Sequence, residues 1–384
     1  METKFLIKKN TILYICLFII VLAESIQKIY FFSQSKIFLS VTSDITLFAD
    51  LILIFFCFTK TYNIREFCAI FIIGALLLIG YFYSKMSAYL TGFILLVACK
   101  NVDIYKLLKT IRYGISFTVI ISVILYISGV SNAGLARRGY SGFGFVHPNM
   151  AALMFMLCVL LWVAENNELS LLKLSFILSI SGIIILILTG SRTVLITILS
   201  LLILLPIVKQ NFNSNKENWM ISSLKYIQPI MLLFTYISAK YLGNIVFFQV
   251  LDKLSVNRIF LNYFALNKFG IYLFGQDSDL QTLGTVFNNI SNVYWTTGAT
   301  VDSAYMTSLL VMGLVPTIVW SCSYVIMMKK VAKTRNYVFF CLAVVLCFEA
   351  FMETGMLAIY CNFAFFFLTA KLYPLASKGD KRSE

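Results

Sequence analysis

The sequence predicts an all-α polytopic membrane protein with about twelve transmembrane helices and one long extracytoplasmic loop. Three observations predict it. Of the 384 residues 60% are hydrophobic and only 12% charged, where soluble domains carry roughly a quarter charged residues. The mean hydropathy of +0.87 leaves more apolar surface than a water-soluble core can hide, so lipid must be the solvent for most of it. Apolar runs of membrane-spanning length recur along the whole chain, and basic residues gather in alternate connections between them.

The first apolar run, 10–26, follows Lys4, Lys8 and Lys9 and lacks an Ala-x-Ala-like cleavage site. It reads as a retained first helix with a cytoplasmic N-terminus. Further runs lie near 38–58, 66–83, 85–99, 112–130, 148–164, 172–189, 192–208, 226–242, 303–328, 337–352 and 356–373. Most approach the roughly 17–25 residues needed to cross a hydrocarbon core of about 30 Å. Starting inside, the cytoplasmic segments collect 21 of the 31 Lys and Arg residues. The positive-inside rule therefore supports this orientation, with both termini cytoplasmic. The formal charge of +14 reflects this sidedness, and nucleic acid is not an expected partner.

The nine cysteines fall inside or at the ends of apolar runs, without paired metal-ligand spacing. They read as packing residues, with neither a disulfide framework nor a metal site. No internal repeat and no soluble domain is visible, so residues 1–384 form one integral membrane domain. The connection 243–302 is the exception to otherwise short links. Its Arg258–Phe269 stretch reads as an amphipathic interfacial helix, and the polar run through Gly275, Asp277, Asp279, Asn288 and Asn289 as a loop facing an acceptor.

In this topology the sixth, eighth and tenth helices start on the outer side, where the positive ends of their dipoles face out. Each start carries a polar signature: Gly142 to Asn149, with His147 and Asn149 around Pro148; Gly190-Ser191-Arg192-Thr193; and Val301-Asp302-Ser303-Ala304-Tyr305, with Asp302 as the expected N-cap. Four outer arginines, Arg137, Arg138, Arg192 and Arg258, lie next to Gly-, Asn- or Ser-containing breaks, although topology disfavours positive charge there. Guanidinium groups and free helix-end amides suit a ligand rich in phosphate oxygens, and a lipid pyrophosphate fits that depth. Plainer readings stand beside these. Arg137 and Arg138 touch lipid headgroups, Arg192 and Ser191 shape a turn, Asp302 caps a helix, and the lone His147 is a hydrogen-bonded structural group. Five acids, Glu24, Asp44, Asp50, Glu349 and Glu353, fall in apolar surroundings. Since charge is costly there, they face a polar cavity or pair with the arginines.

Taken in order, the Gly-x-Gly-x-x-His-Pro-Asn stretch, the Gly-Ser-Arg-Thr turn, Arg258 and Phe274-Gly275 in the long loop, and Val-Asp-Ser-Ala-Tyr with Gly313 downstream resemble the Wzy polymerases. That family lies within the superfamily that also holds O-antigen ligases. The resemblance runs from about Arg137 to Pro316. It implies a metal-independent membrane glycosyltransferase of the GT-C type in the bacterial cytoplasmic membrane, with no cofactor and an extracytoplasmic site. The enzyme would move a growing glycan from undecaprenyl pyrophosphate onto the next undecaprenyl-pyrophosphate-linked unit, making capsule, exopolysaccharide or O-antigen. On that likeness Arg192 and Arg258 hold the donor pyrophosphate, and Asp302 deprotonates or orients the acceptor hydroxyl. Arg137, Arg138, His147, Asn149, Ser191 and Tyr305 bind substrate, and a chain-length regulator and a flippase are expected partners. Ligases of the superfamily carry a histidine where this chain has Asp302, which favours a polymerase. A flippase would call for repeated hydropathy and short loops, and a non-catalytic scaffold would leave the three polar helix starts without a purpose.

Overall fold

The computed structural model describes residues 2–131, 140–214, 219–255, 257–277 and 301–373. The described chain is all-helical, apart from isolated bridges at Ile29–Phe145 and Asp103–Lys371. Its main helices are α1 (Glu2–Ile26), α2 (Lys36–Phe58), α3 (Ile64–Ser84), α4 (Ala88–Ala98), α5 (Ile104–Ile127), α6 (Pro148–Glu165) and α7 (Leu171–Thr189). They continue as α8 (Arg192–Asn213), α9 (Ile227–Lys240), α10 (Val246–Leu254), α11 (Arg258–Phe269), α12 (Ala304–Thr307), α13 (Leu314–Thr334) and α14 (Tyr337–Met352). Seven of them, α2, α3, α5, α6, α7, α8 and α13, are long and apolar enough to cross a membrane. Asn10–Ile26 of α1, α4 and α14 are shorter apolar helices.

α14 forms the centre. Every residue from Tyr337 to Cys347 is buried, as suits a helix that is apolar all round, and it packs on α8, α9, α13 and α6. α2 and α3 instead show large apolar side chains outward, among them Phe48, Phe55, Phe71 and Phe82.

Two of the expected spans differ from a plain helix. The run 356–373 is not a twelfth helix: it holds two 3-10 turns, Thr354–Leu357 and Phe363–Phe365, and one α-turn, Phe366–Thr369. Tyr360, Cys361 and Phe363 to Phe367 are nonetheless at most 1% exposed. Irregular backbone is tolerated at membrane depth when protein covers it and its polar groups find partners. Lys330 Nζ supplies two, donating to the Leu368 and Ala370 carbonyls at 2.9 and 2.8 Å. The run 303–328 is broken: α12 leads into a wide π-type turn, Ser308–Met312, and α13 starts afresh after Gly313.

Contacts sort the connections into two ends. At one, Lys60 Nζ donates to the Lys100 carbonyl, Lys100 pairs with Glu66 at 2.8 Å, Arg112 with Glu165 at 2.7 Å, and the amide of Lys371 donates to the Val102 carbonyl. At the other, the amides of Val146 and Tyr30 donate to the carbonyls of Lys28 and Gly144, tying the start of α6 to the end of α1. This second end carries the arginine-bearing helix starts.

Candidate functional site

Arg258 is the hub of that end. It opens α11, and what fixes it there is the preceding corner. Asn257 stands in the left-handed region and offers no side-chain cap. Asp252 of α10 replaces that cap, accepting from the Phe260 amide at 2.8 Å through Oδ1, while its carbonyl accepts from the Asn257 amide at 2.9 Å. With Ile259, Asn262 and Ala265 buried, α11 packs on α9 rather than lying alone in the interface.

From this position the Arg258 guanidinium reaches three acceptors. Its Nε lies 3.7 Å from Asp302 Oδ2, its Nη2 donates to Glu353 Oε1 at 3.4 Å, and its Nη1 donates to the Met352 carbonyl. Arg258 and Glu353 side chains are only 12% and 11% exposed, whereas Asp302 is 36% exposed. One cation therefore joins a buried carboxylate to one that stays open.

The orientation of Asp302 toward Arg258 has a local cause that differs from the sequence expectation. Asp302 does not cap the helix: Ser303 does, its side chain accepting from the Met306 amide at 3.4 Å. The two neighbours have similar capping propensity, and with Ser303 at the cap Asp302 is released toward Arg258. Ser303→Ala should therefore cost about 1 kcal/mol of stability, while Asp302→Asn should cost less through capping. Thermal unfolding of the two purified variants checks this order.

Glu353 lies just past the last turn of α14. Burial pushes its carboxyl up to about 8 from an ordinary 4.5, with Glu349 and Asp302 acting in the same direction and Arg258 opposing. The folded state thus holds a proton that the unfolded chain releases above about 4.5. The stabilisation from Glu353 is full below that pH and is lost as pH rises toward 8. Thermal unfolding temperature should fall across that window in the wild type and fall less in Glu353→Gln.

One turn back on α14, Glu349 is 1% exposed. Its Oε2 accepts from the Thr197 hydroxyl of α8, and its Oε1 has no hydrogen-bond partner among the described residues. Both acids were legible as polar residues in an apolar run. Asp252 and the Met352 carbonyl carried no signal, because their role depends on how α10 and α14 end.

The other expected site residues are placed as follows. His147 caps α6, its Nδ1 accepting from the Asn149 amide at 3.2 Å, with Pro148 in the first turn. Its ring is exposed at the rim, yet partial withdrawal from water lowers its pKa below the ordinary imidazole value, Asp302 opposing and Arg258 assisting. That places His147 within electrostatic reach of the pair. Arg192 is exposed on the first turn of α8 and makes no ion pair among the described residues. It stands about 7.5 Å along the helix from Thr197, which touches Glu349. Ser191 is buried and bonds Thr193 side chain to side chain at 3.0 Å, without capping α8. Tyr305 points into the core, its hydroxyl donating to the Cys347 carbonyl at 3.0 Å. Arg137 and Arg138 lie outside the described residues.

Phe274-Gly275 docks beside the Gly313 break. The amides of Leu314 and Val315 donate to the Tyr272 and Leu273 carbonyls, both at 2.9 Å, and the amide of Gln276 donates to the Val311 carbonyl at 3.1 Å. Gln276 Nε2 adds bonds to the Phe269, Gly270 and Leu310 carbonyls. The end of α11 is thereby fastened to the helix that begins behind Asp302.

Compared with known proteins, the chain matches no family model, no curated protein and no solved structure.

Proposed function

We propose that this chain is a Wzy-type polymerase of lipid-linked oligosaccharide repeat units, acting at the outer face of a bacterial cytoplasmic membrane. The observation that carries the reading is a half-open carboxylate, Asp302, held by a buried arginine at the same end of the bundle as an exposed one, Arg192, that makes no ion pair among the described residues.

The acceptor sugar's hydroxyl oxygen attacks the anomeric carbon of the donor glycan. The bond from that carbon to the diphosphate oxygen breaks, undecaprenyl pyrophosphate leaves with the electron pair, and the hydroxyl proton passes to Asp302. Negative charge grows on the diphosphate, and in this reading Arg192 meets it bidentately. Arg258 enters differently from the sequence expectation. Its donors already face Asp302, Glu353 and the Met352 carbonyl, which leaves little of its fork for a diphosphate. It is a positioning residue that aims Asp302 at the acceptor hydroxyl, while Arg192 holds the donor. A chain-length regulator and a flippase remain the proposed partners.

The test is polymerisation by purified protein in nanodiscs on a defined undecaprenyl-pyrophosphate-linked unit, with and without chelator. Wild type should extend the glycan in both. Asp302→Asn should lower turnover by roughly 10²- to 10⁴-fold, the usual range for losing a general base, and Arg192→Ala should weaken donor use. Normal polymer from Asp302→Asn would remove the base assignment, and unit lipid that only crosses the bilayer would favour a flippase.

A further inference from the structure

Asp44 has no part in the site above, and its surroundings are unlike those of the other acids. It lies on α2, exposed, and among the described residues it makes no hydrogen bond or ion pair. Around it runs an open groove of about 440 Å³ between α1 and α2, lined by Ile12, Ile15 and Ile19 on one side and Val41, Phe48 and Ile52 on the other. At 1.5 Å per residue, Asp44 sits about 12 Å from the Lys36 end of α2 and about 21 Å from its Phe58 end. Both neighbouring helices are apolar along these faces, so the carboxylate stands in the hydrocarbon zone. An Asp side chain is too short to reach water from there, and a bare charge at that depth is costly.

Three occupants are available, and the charge separates them. Acyl chains fill the apolar walls but leave the carboxylate without a partner. The described residues of the seven long helices in a second copy of this chain offer no suitable donor at that depth. Among the described residues of the seven long helices, Lys and Arg lie toward the helix ends, and the deep one, Arg112, is already paired with Glu165 at 2.7 Å. A membrane-spanning helix of another protein, carrying Lys or Arg at matching depth, satisfies both the walls and the charge. Polar residues in helix–helix contacts are retained in membranes for this kind of pairing.

We propose that the α1–α2 groove is a docking surface for a transmembrane helix of a different protein, with Asp44 paired to a basic side chain of that helix. The surface is independent of the polymerase reading, because none of its residues touches Arg258, Asp302 or Glu353.

The experiment is photo-crosslinking of the full chain in its native membrane from benzoylphenylalanine placed at Ile45, in otherwise wild-type, Asp44→Asn and Asp44→Lys backgrounds. The expected result is an adduct mapping within two helical turns of a Lys or Arg in a membrane span of one other protein. It should fall at least tenfold in Asp44→Lys and recover when that basic residue is changed to Asp. Asp44 faces outward, so Asp44→Asn should keep the thermal unfolding temperature and still lower the adduct, which separates lost pairing from misfolding. Adducts to lipid alone, adducts to a second copy of this chain, no adduct, or an adduct indifferent to Asp44→Lys would each overturn the proposal. Loss of polymerisation activity in Asp302→Asn with an unchanged crosslink leaves this surface standing, so the two proposals fail separately.

Discussion

Arg258→Ala is expected to lower polymerisation by about 10²- to 10³-fold, the scale found when one preorganised electrostatic contact is lost from an active site. Arg258→Lys should not restore it. The guanidinium spans Asp302 on one edge and Glu353 and the Met352 carbonyl on the others, and a single ammonium cannot reproduce that fork. Two effects are superposed in the alanine variant, and they separate by design. Removing Arg258 leaves the buried Glu353 carboxyl without its donor, and an unmet buried polar group typically costs about 1–3 kcal/mol of stability. Adding Glu353→Leu to Arg258→Ala replaces that stranded group by an apolar one and should recover much of the unfolding temperature without recovering turnover. Single-turnover kinetics on a defined lipid-linked unit, alongside thermal unfolding of the same samples, gives both numbers. If the double variant regains activity along with stability, Arg258 is structural and the positioning role is lost. A positioning role also predicts that turnover falls more than substrate affinity, whereas Arg192→Ala should show its effect chiefly in the use of the donor.

How far the sequence reached is clearest at α14 and α2. Both read as apolar spans, yet one is the buried centre and the other an outer wall. Lipid tails are as apolar as a protein core, so composition alone cannot separate the two. The same ambiguity hid the irregular run after Glu353, whose Phe-rich stretch is apolar because protein surrounds it on every side. The site was legible as parts. Arg258, Asp302, Arg192 and His147 stood out because charge and helix breaks are rare in such a chain. Their pairing was not legible, since Arg258 meets Asp302 and Glu353 only through the packing of α11 and α14, and adjacent Asp302 and Ser303 compete for one cap on nearly equal terms. Gly275 and Gly313 were visible as motif residues, but nothing in their spacing said that they touch.

That contact sets the second large effect. Gly275 has φ +88°, and a Cβ there would lie 2.1 Å from the Val311 carbonyl oxygen; Gly313 has φ +90°, with a Cβ 2.1 Å from the Gly275 nitrogen. Both positions thus need the absence of a side chain twice over, for backbone conformation and for close approach. In Gly275→Ala the 270–276 segment must back away by about 1 Å to reach an ordinary contact, loosening the bonds from Leu314, Val315 and Gln276 that clamp it to the helix break. Since this clamp joins the end of α11 to the helix behind Asp302, the shift is passed to the Arg258–Asp302 pair. A misplacement of about 1 Å can cost on the order of 10²-fold in rate, so Gly275→Ala should lose about that much turnover although it touches no substrate. Backbone strain at such a site is worth about 1–3 kcal/mol, so the unfolding temperature should fall as well. Gly243→Ala is the matched control, because a Cβ there meets nothing within 4 Å, and it should change neither. Hydrogen exchange of the Leu314 and Val315 amides reports the clamp directly. Retained protection together with full turnover in Gly275→Ala would show that the docked loop does not position the site.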